Sequence, residues 1–312
     1  MTALLFGSLN LVASVSIILV NKQIVSACGF HFILTLLFLN FLCTCTLLEV
    51  FAHTGLLEEK QLPARDRGLL AVMAVFTVLL NNASTEANSV GFYQITKLLI
   101  IPTVIFIERL GGITRVYSFG VVCSLAVASV GVGIASVSDF EINTRGTMLA
   151  FLSILCTAQY QVWQGNKQHE HGLSALQITH SVSRPQTVVA LCATCVFDVW
   201  FPFLKDWMLL RSGGLLDHSL QSQWDIHWIV GDCAIAVVMN ISTYGLLGKA
   251  SPVTYQVLGQ MKTCLITTLG YIFFDVKVPP YWLMVRFSGV AIAVVGILAY
   301  AILKAEEQKK KL

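Results

Sequence analysis

The sequence predicts an all-α integral membrane protein, with ten transmembrane helices arranged as an inverted five-plus-five repeat. Three observations carry that expectation. The first is composition: 56% of the 312 residues are hydrophobic and 12% are charged, with a mean hydropathy of +0.74. A soluble domain carries roughly 25% charged residues, so this chain lacks the polar coat that water demands and takes lipid as its solvent. The second is segmentation into apolar runs near the ~20 residues that cross a bilayer. The third is a self-similarity between the two halves of the chain.

The apolar runs lie at about 3–25, 31–50, 68–86, 89–108, 115–137, 146–166, 174–203, 225–247, 252–274 and 281–303. The first follows Met1 with no basic stretch before it and no cleavage site after it, so it is expected to remain as a span. The seventh is long and holds Arg184 and Pro185, which predicts a kink or tilt. The sizeable polar connectors, about 52–67 and 204–224, are too short for a domain. The expected organisation is one membrane domain: a first repeat at 1–145, a second, inverted, at 146–304, and a basic cytosolic tail at 305–312.

Basic residues set the orientation. The termini and the loops after even-numbered spans share one side, with Lys60, Arg65, Arg67, Arg109, Arg115, Lys167, Lys249, Lys304, Lys309, Lys310 and Lys311. The other side has Arg145, Lys205, Arg211, Lys277 and Arg286. Eleven against five puts both termini in the cytosol. Lys22, Lys97, Arg184 and Lys262 remain, within or at the ends of spans.

The repeat is read from ordered matches. Asn21-Lys22-Gln23 ends the first run and Asn166-Lys167-Gln168 the sixth, followed by Thr35 and Thr179 respectively. Asn82-Ala83-Ser84-Thr85 closes the third run and Asn240-Ile241-Ser242-Thr243 lies late in the eighth. Ser89, Tyr93 and Gln94 open the fourth, as Ser251, Tyr255 and Gln256 open the ninth. The fifth and tenth share only small residues, Ser124 with Gly131 and Gly289 with Gly296. Five spans is an odd number, so the second half must sit inverted. Inverted repeats of this kind mark transporters, with the site near the bilayer midplane. Asn82 and Asn240 fit a glycosylation sequon, but their positions inside spans make them hydrogen-bonding residues of the bundle instead.

Lys97 lies about eight residues into its run, roughly 12 Å deep at 1.5 Å per residue. Lys262 lies a third to half of the way into the ninth run. An ionisable side chain there costs about 2.5–3.5 kcal/mol, and neither lysine has a carboxylate one turn away on its own helix. Snorkelling reaches the interface poorly from such depth. One lysine from each half facing a shared cavity would attract a polyanion. Tyr93, Gln94, Tyr255, Gln256 and Thr263 lie close by in sequence and offer aromatic faces, amides and a hydroxyl to a base, sugar or phosphate. Helix packing explains the single tyrosines and glutamines equally well. Asn82 and Asn240 are candidates for the same cavity. Arg184 is either a substrate contact or a gate paired with Asp198 or Asp232. Lys22 and Lys167, at opposite membrane faces, are candidate gate or interface residues.

Other chemistries find no support. There is no HExxH pair, GxSxG elbow or Walker loop, so no catalytic residues and no cofactor are expected. No basic patch with interleaved aromatics points to nucleic acid. Cys43 with Cys45 and Cys192 with Cys195 lie inside apolar runs and read as packing residues. His169 and His171 read as a solvated loop pair, and no metal site is expected.

NSVGFYQITKLLIIP at 88–102, GVGIASVSDFEIN at 131–143 and SPVTYQVLGQMKTCLI at 251–266 resemble the nucleotide-sugar transporters of the drug/metabolite transporter superfamily, in the group named for a Lys-Thr pair. Weaker similarity extends to triose-phosphate translocators. The resemblance implies a ten-span fold with both ends cytosolic and phosphate-binding positions at Lys97, Lys262 and Thr263. It implies antiport of a cytosolic nucleotide sugar for a luminal nucleoside monophosphate, most like the carriers of UDP-galactose, UDP-xylose or UDP-rhamnose. Asn40-Phe41 departs from the His-Phe of many relatives, and the GALNK string of GDP-mannose carriers is absent. Lys309 and Lys310 near the end fit a dilysine retrieval signal read by coat proteins, or a contact with anionic lipid, and Golgi or endoplasmic reticulum residence is expected. A homodimer is compatible with the sequence. The alternatives are a carrier of phosphorylated metabolites and, outside transport, a membrane scaffold or enzyme of the same fold.

Overall fold

The computed structural model describes residues 3–26, 33–112, 117–136, 144–200, 224–273 and 280–309. Among these residues there are helices and turns and no strand. The helices are α1 (Ala3–Ser26), α2 (Ile33–His53), α3 (Ala64–Ala87), α4 (Val90–Leu98), α5 (Ile100–Leu110), α6 (Phe119–Ser136), α7 (Thr144–Glu170), α8 (Ala175–Thr194), α9 (Trp224–Lys249), α10 (Pro252–Phe273) and α11 (Pro280–Lys309). A helix satisfies its own backbone, which lipid cannot do for it. Six of them, α1, α2, α3, α6, α9 and α11, are long and apolar enough to cross a membrane, and the chain is a multi-pass membrane protein. The other expected spans are also helical: α4 and α5 are each too short to cross alone, at 9 and 11 residues, and α7, α8 and α10 carry polar side chains along their length.

Three details are added to these expectations. The fourth run is broken at Leu99, whose N–H bonds back to Thr96 O at 3.0 Å in a tightened last turn. Pro102, with no N–H, cannot bond the carbonyl of Leu98, which removes the rung that would bridge the break. In the seventh run, α8 passes through Pro185 as one element and then widens into a π-helical turn, Cys195–Trp200. The basic tail is not a separate extension at 305: α11 continues to Lys309 through good helix formers, with Lys304 3.5 Å from Glu307 one turn on. Lys310 lies outside the described residues, as do the side chains of Lys22 and Lys309, so the retrieval signal and Lys22 have no structural description.

The chain forms two compact units, and each combines both sequence halves. Unit one is residues 1–75 and 164–249; unit two is 76–163 and 250–312. In unit one α9 packs on α1, α2 and α8, and α2 packs on α8. Its polar loop 54–63 is tied to α8 by Leu62 N–H to Ser181 Oγ at 2.9 Å. The start of α8 is fixed by a reciprocal cap: Gln177 N–H donates to Ser174 Oγ at 3.3 Å, and Ser174 N–H to Gln177 Oε1 at 2.9 Å. The preceding turn needs Gly172, whose φ of +58° few other residues adopt.

In unit two the densest packing is α6 against α11, with α10 on both and α4 on α6. Gly131 abuts the backbone of Ala293, Gly289 that of Ala135, and Gly296 that of Ala128. These pairs step in opposite directions, so the two helices run antiparallel. A Cβ at any of these glycines would collide with the facing helix, which is the small-residue packing that membranes favour where lipid provides no hydrophobic drive.

Candidate functional site

Both candidate lysines belong to unit two, on segments that start alike. Ser89 Oγ accepts from Phe92 N–H at 3.3 Å, and Ser251 Oγ from Thr254 N–H at 3.2 Å. The Tyr93 and Tyr255 N–H groups each bond the carbonyl of their serine at 3.0 Å. The Ser-x-x-x-Tyr-Gln string is therefore an N-capped first turn in both places.

From that start, Lys97 Nζ lies 4.2 Å from the Tyr93 ring centre, and Lys262 Nζ 5.4 Å from that of Tyr255. A cation over an aromatic face is held by the ring quadrupole. Such a contact leaves ammonium N–H groups open to oxygen ligands. Among the described residues no carboxylate pairs with Lys97. Lys262 is partly buried on α10. At Lys97, positive charge held by an aromatic face rather than by a counter-ion is chemistry suited to a phosphate-bearing guest.

The supporting residues divide. Tyr93 Oη stands 3.5 Å from Asn81 Oδ1, which also accepts from Ser153 Oγ at 2.9 Å, while Asn81 Nδ2 donates to Thr157 Oγ1 at 3.3 Å. Asn81, which the sequence did not single out, is thus the asparagine tied to Tyr93. Asn82 and Gln94 form no hydrogen bond among the described residues. Gln256 Nε2 donates to Gln161 Oε1 at 2.7 Å. Thr263 Oγ1 turns back on its helix to Gly259 O at 3.2 Å, so a ligand must draw it away from that bond. Asn240 belongs to unit one, where it donates to Thr44 Oγ1 at 3.0 Å.

The partner of Arg184 is neither Asp198 nor Asp232. Its guanidinium grips both carboxylate oxygens of Glu49 on α2, and His180 Nε2 approaches Glu49 Oε1 at 3.1 Å. Asp198 instead accepts from Thr35 N–H at 2.7 Å and Thr35 Oγ1 at 2.9 Å, capping the first turn of α2. Asp232 accepts from Asn40 Nδ2 at 2.9 Å. Glu49 itself was a signal in the sequence, since it is an ionisable residue at the end of an apolar run. Lys167 ends α7 in an ion cluster, 3.1 Å from Asp66 and 2.9 Å from Glu170, with His171 3.5 Å from Asp66. The Glu170 and Asp66 carboxylates hold the Lys167 ammonium above its ordinary value of 10.5.

The helices define a polytopic membrane protein, and the family it matches is one of transporters rather than enzymes. Residues 1–301 match the Triose-phosphate Transporter family, and the chain belongs to that family. UDP-xylose transporter 3 of Arabidopsis thaliana is 34% identical over 97% of this chain and 81% of its own length. UDP-rhamnose/UDP-galactose transporter 1 of the same plant is 32% identical over 94% and 81%.

Proposed function

We propose that the protein is a nucleotide-sugar antiporter. It moves a UDP-sugar of the galactose, xylose or rhamnose class from the cytosol into the lumen of the Golgi or endoplasmic reticulum. UMP returns in exchange, by alternating access. The observation that carries this reading is the pair of N-capped segments in unit two, each with a lysine over its own tyrosine. Their cations and aromatic faces suit the phosphates and the base of a nucleotide. The names of the relatives agree with UDP-sugars as cargo.

Four further helical segments, α4 with α5, α7, α8 and α10, added to the six apolar helices agree with ten spans, an even number that puts both termini on one side. The antiparallel seam of α6 and α11 supports the inverted repeat. Ion pairing of Lys167 with Asp66 brings the loops after the second and sixth spans to one side, as the orientation requires.

The test is uptake of labelled nucleotide sugars into proteoliposomes preloaded with UMP, GMP or CMP, for wild type and Lys262→Ala. Uptake of a UDP-sugar only against internal UMP, abolished by the substitution, is the expected result. Competition by free sugar phosphates rather than UMP would replace the cargo with a phosphorylated metabolite. No uptake by folded protein under any preload would defeat the transport reading.

A further inference from the structure

We propose that Asp232 and Asn40 form a proton-binding site inside unit one, with the Asp232 side chain held as a neutral carboxylic acid in this conformation. Asp232 is fully buried on α9 and Asn40 is 9% exposed on α2. Asn40 Nδ2 donates to Asp232 Oδ2 at 2.9 Å. The remaining oxygen of each side chain, Asn40 Oδ1 and Asp232 Oδ1, is buried with no donor. A charged carboxylate can only accept, so ionised Asp232 leaves two orphaned acceptors and a bare charge in a dry interior. One proton on Asp232 removes the charge and supplies an O–H for the orphaned amide oxygen. Amide and acid then complete each other.

The neighbouring charges do not offer an easier neutralisation. On α2, Cys43 presents a thiol towards Cys233, and Glu49 is nine residues, about 14 Å, further along. On α8, Arg184 and His180 are engaged by that same Glu49. Asp198, in the turn that follows, is bound to Thr35. On α1, the antiparallel register set by Asn10 with Ser242 at 3.1 Å brings Asn21 and Lys22 level with the start of the Asp232 turn. An ion pair with Lys22 is therefore the rival to a proton. A sodium ion fits less well, because an amide N–H already points at the carboxylate and hard cations want several more oxygens.

The experiment is infrared spectroscopy of the full-length protein in lipid, with isotope-labelled aspartate, on wild type, Asp232→Asn and Asn40→Leu. The expected result is a protonated-carboxyl carbonyl band at neutral pH that vanishes in Asp232→Asn and shifts in Asn40→Leu. Absence of the band, or its loss on adding sodium, overturns the site. Thermal unfolding supplies a second reading independent of transport. Asparagine reproduces the donor and acceptor of a neutral acid, so Asp232→Asn should unfold close to wild type and Asp232→Ala well below it. Equal losses in both, with a matching loss in Lys22→Met, would mean an ion pair and defeat the proposal.

Discussion

Arg184 in unit one and Lys97 in unit two are both cations on helices expected to span the membrane, and they are handled in opposite ways. Arg184 is clamped by Glu49, which also engages His180, so its charge is consumed within the fold. Lys97 rests over Tyr93, a neutral ring. A carboxylate cancels a cation and holds its donors, whereas an aromatic face steadies it and leaves the donors facing outward. The difference separates a structural cation from one available to a guest, although sequence position alone treats the two alike.

The largest effect should come from Lys97→Ala. Loss of charge-assisted hydrogen bonds worth about 3 kcal/mol lowers kcat/KM for exchange roughly 100-fold, with thermal stability unchanged. A matching fall in Tm would place Lys97 among the structural cations and erase the contrast. Glu49→Gln should do the reverse: Tm falls by the equivalent of about 2 kcal/mol, since Arg184 and His180 lose a shared anion, while KM moves little. The loss stays small because the Arg184 side chain is 55% exposed and water screens the pair. Calorimetry and exchange kinetics on the same preparations read both.

A smaller effect tests the ring itself. Tyr93→Phe keeps the face under Lys97 and should retain KM, whereas Tyr93→Leu removes about 1 kcal/mol of cation–π attraction and raises KM about fivefold. Equal behaviour of the two would shift the role of Tyr93 to its hydroxyl and Asn81. The smallest concerns Lys167. Its ammonium is held above the ordinary 10.5 by Glu170 and Asp66. The pair therefore stabilises the fold fully below pH 10.5, and that contribution is lost as pH rises through the higher native value. Lys167→Met should abolish this alkaline decline in Tm and leave the neutral-pH value within about 1 kcal/mol.

Much of the helical fold was legible in the sequence, as was the nearness of Tyr93 to Lys97 and of Tyr255 to Lys262. Hydropathy located the helices because lipid and the bundle interior are both apolar surroundings for a span, and the lysines stood out because charge is expensive there. The Ser-x-x-x-Tyr-Gln string was visible as a repeat, and the structure gave its meaning as a cap, local chemistry decided by residues three apart. Asn81 was passed over for a geometric reason: successive helical residues point about 100° apart, so a repeat match at Asn82 says nothing of the residue beside it, which is the one that meets Tyr93. The partner of Arg184 failed because Glu49 is 135 residues away in sequence, and no spacing rule reaches that far.

By itself, then, the sequence determined a helical membrane protein, where its apolar segments lie, and two lysines placed next to tyrosines within those segments, all through forces that act within one helix or between one helix and lipid. Tertiary structure alone decided how the halves are shared between compact units, which glycines meet which backbones, and which acid meets which base. Those outcomes depend on how each helix is rotated against its neighbours, and that rotation is chosen by the summed packing and hydrogen bonding of distant segments.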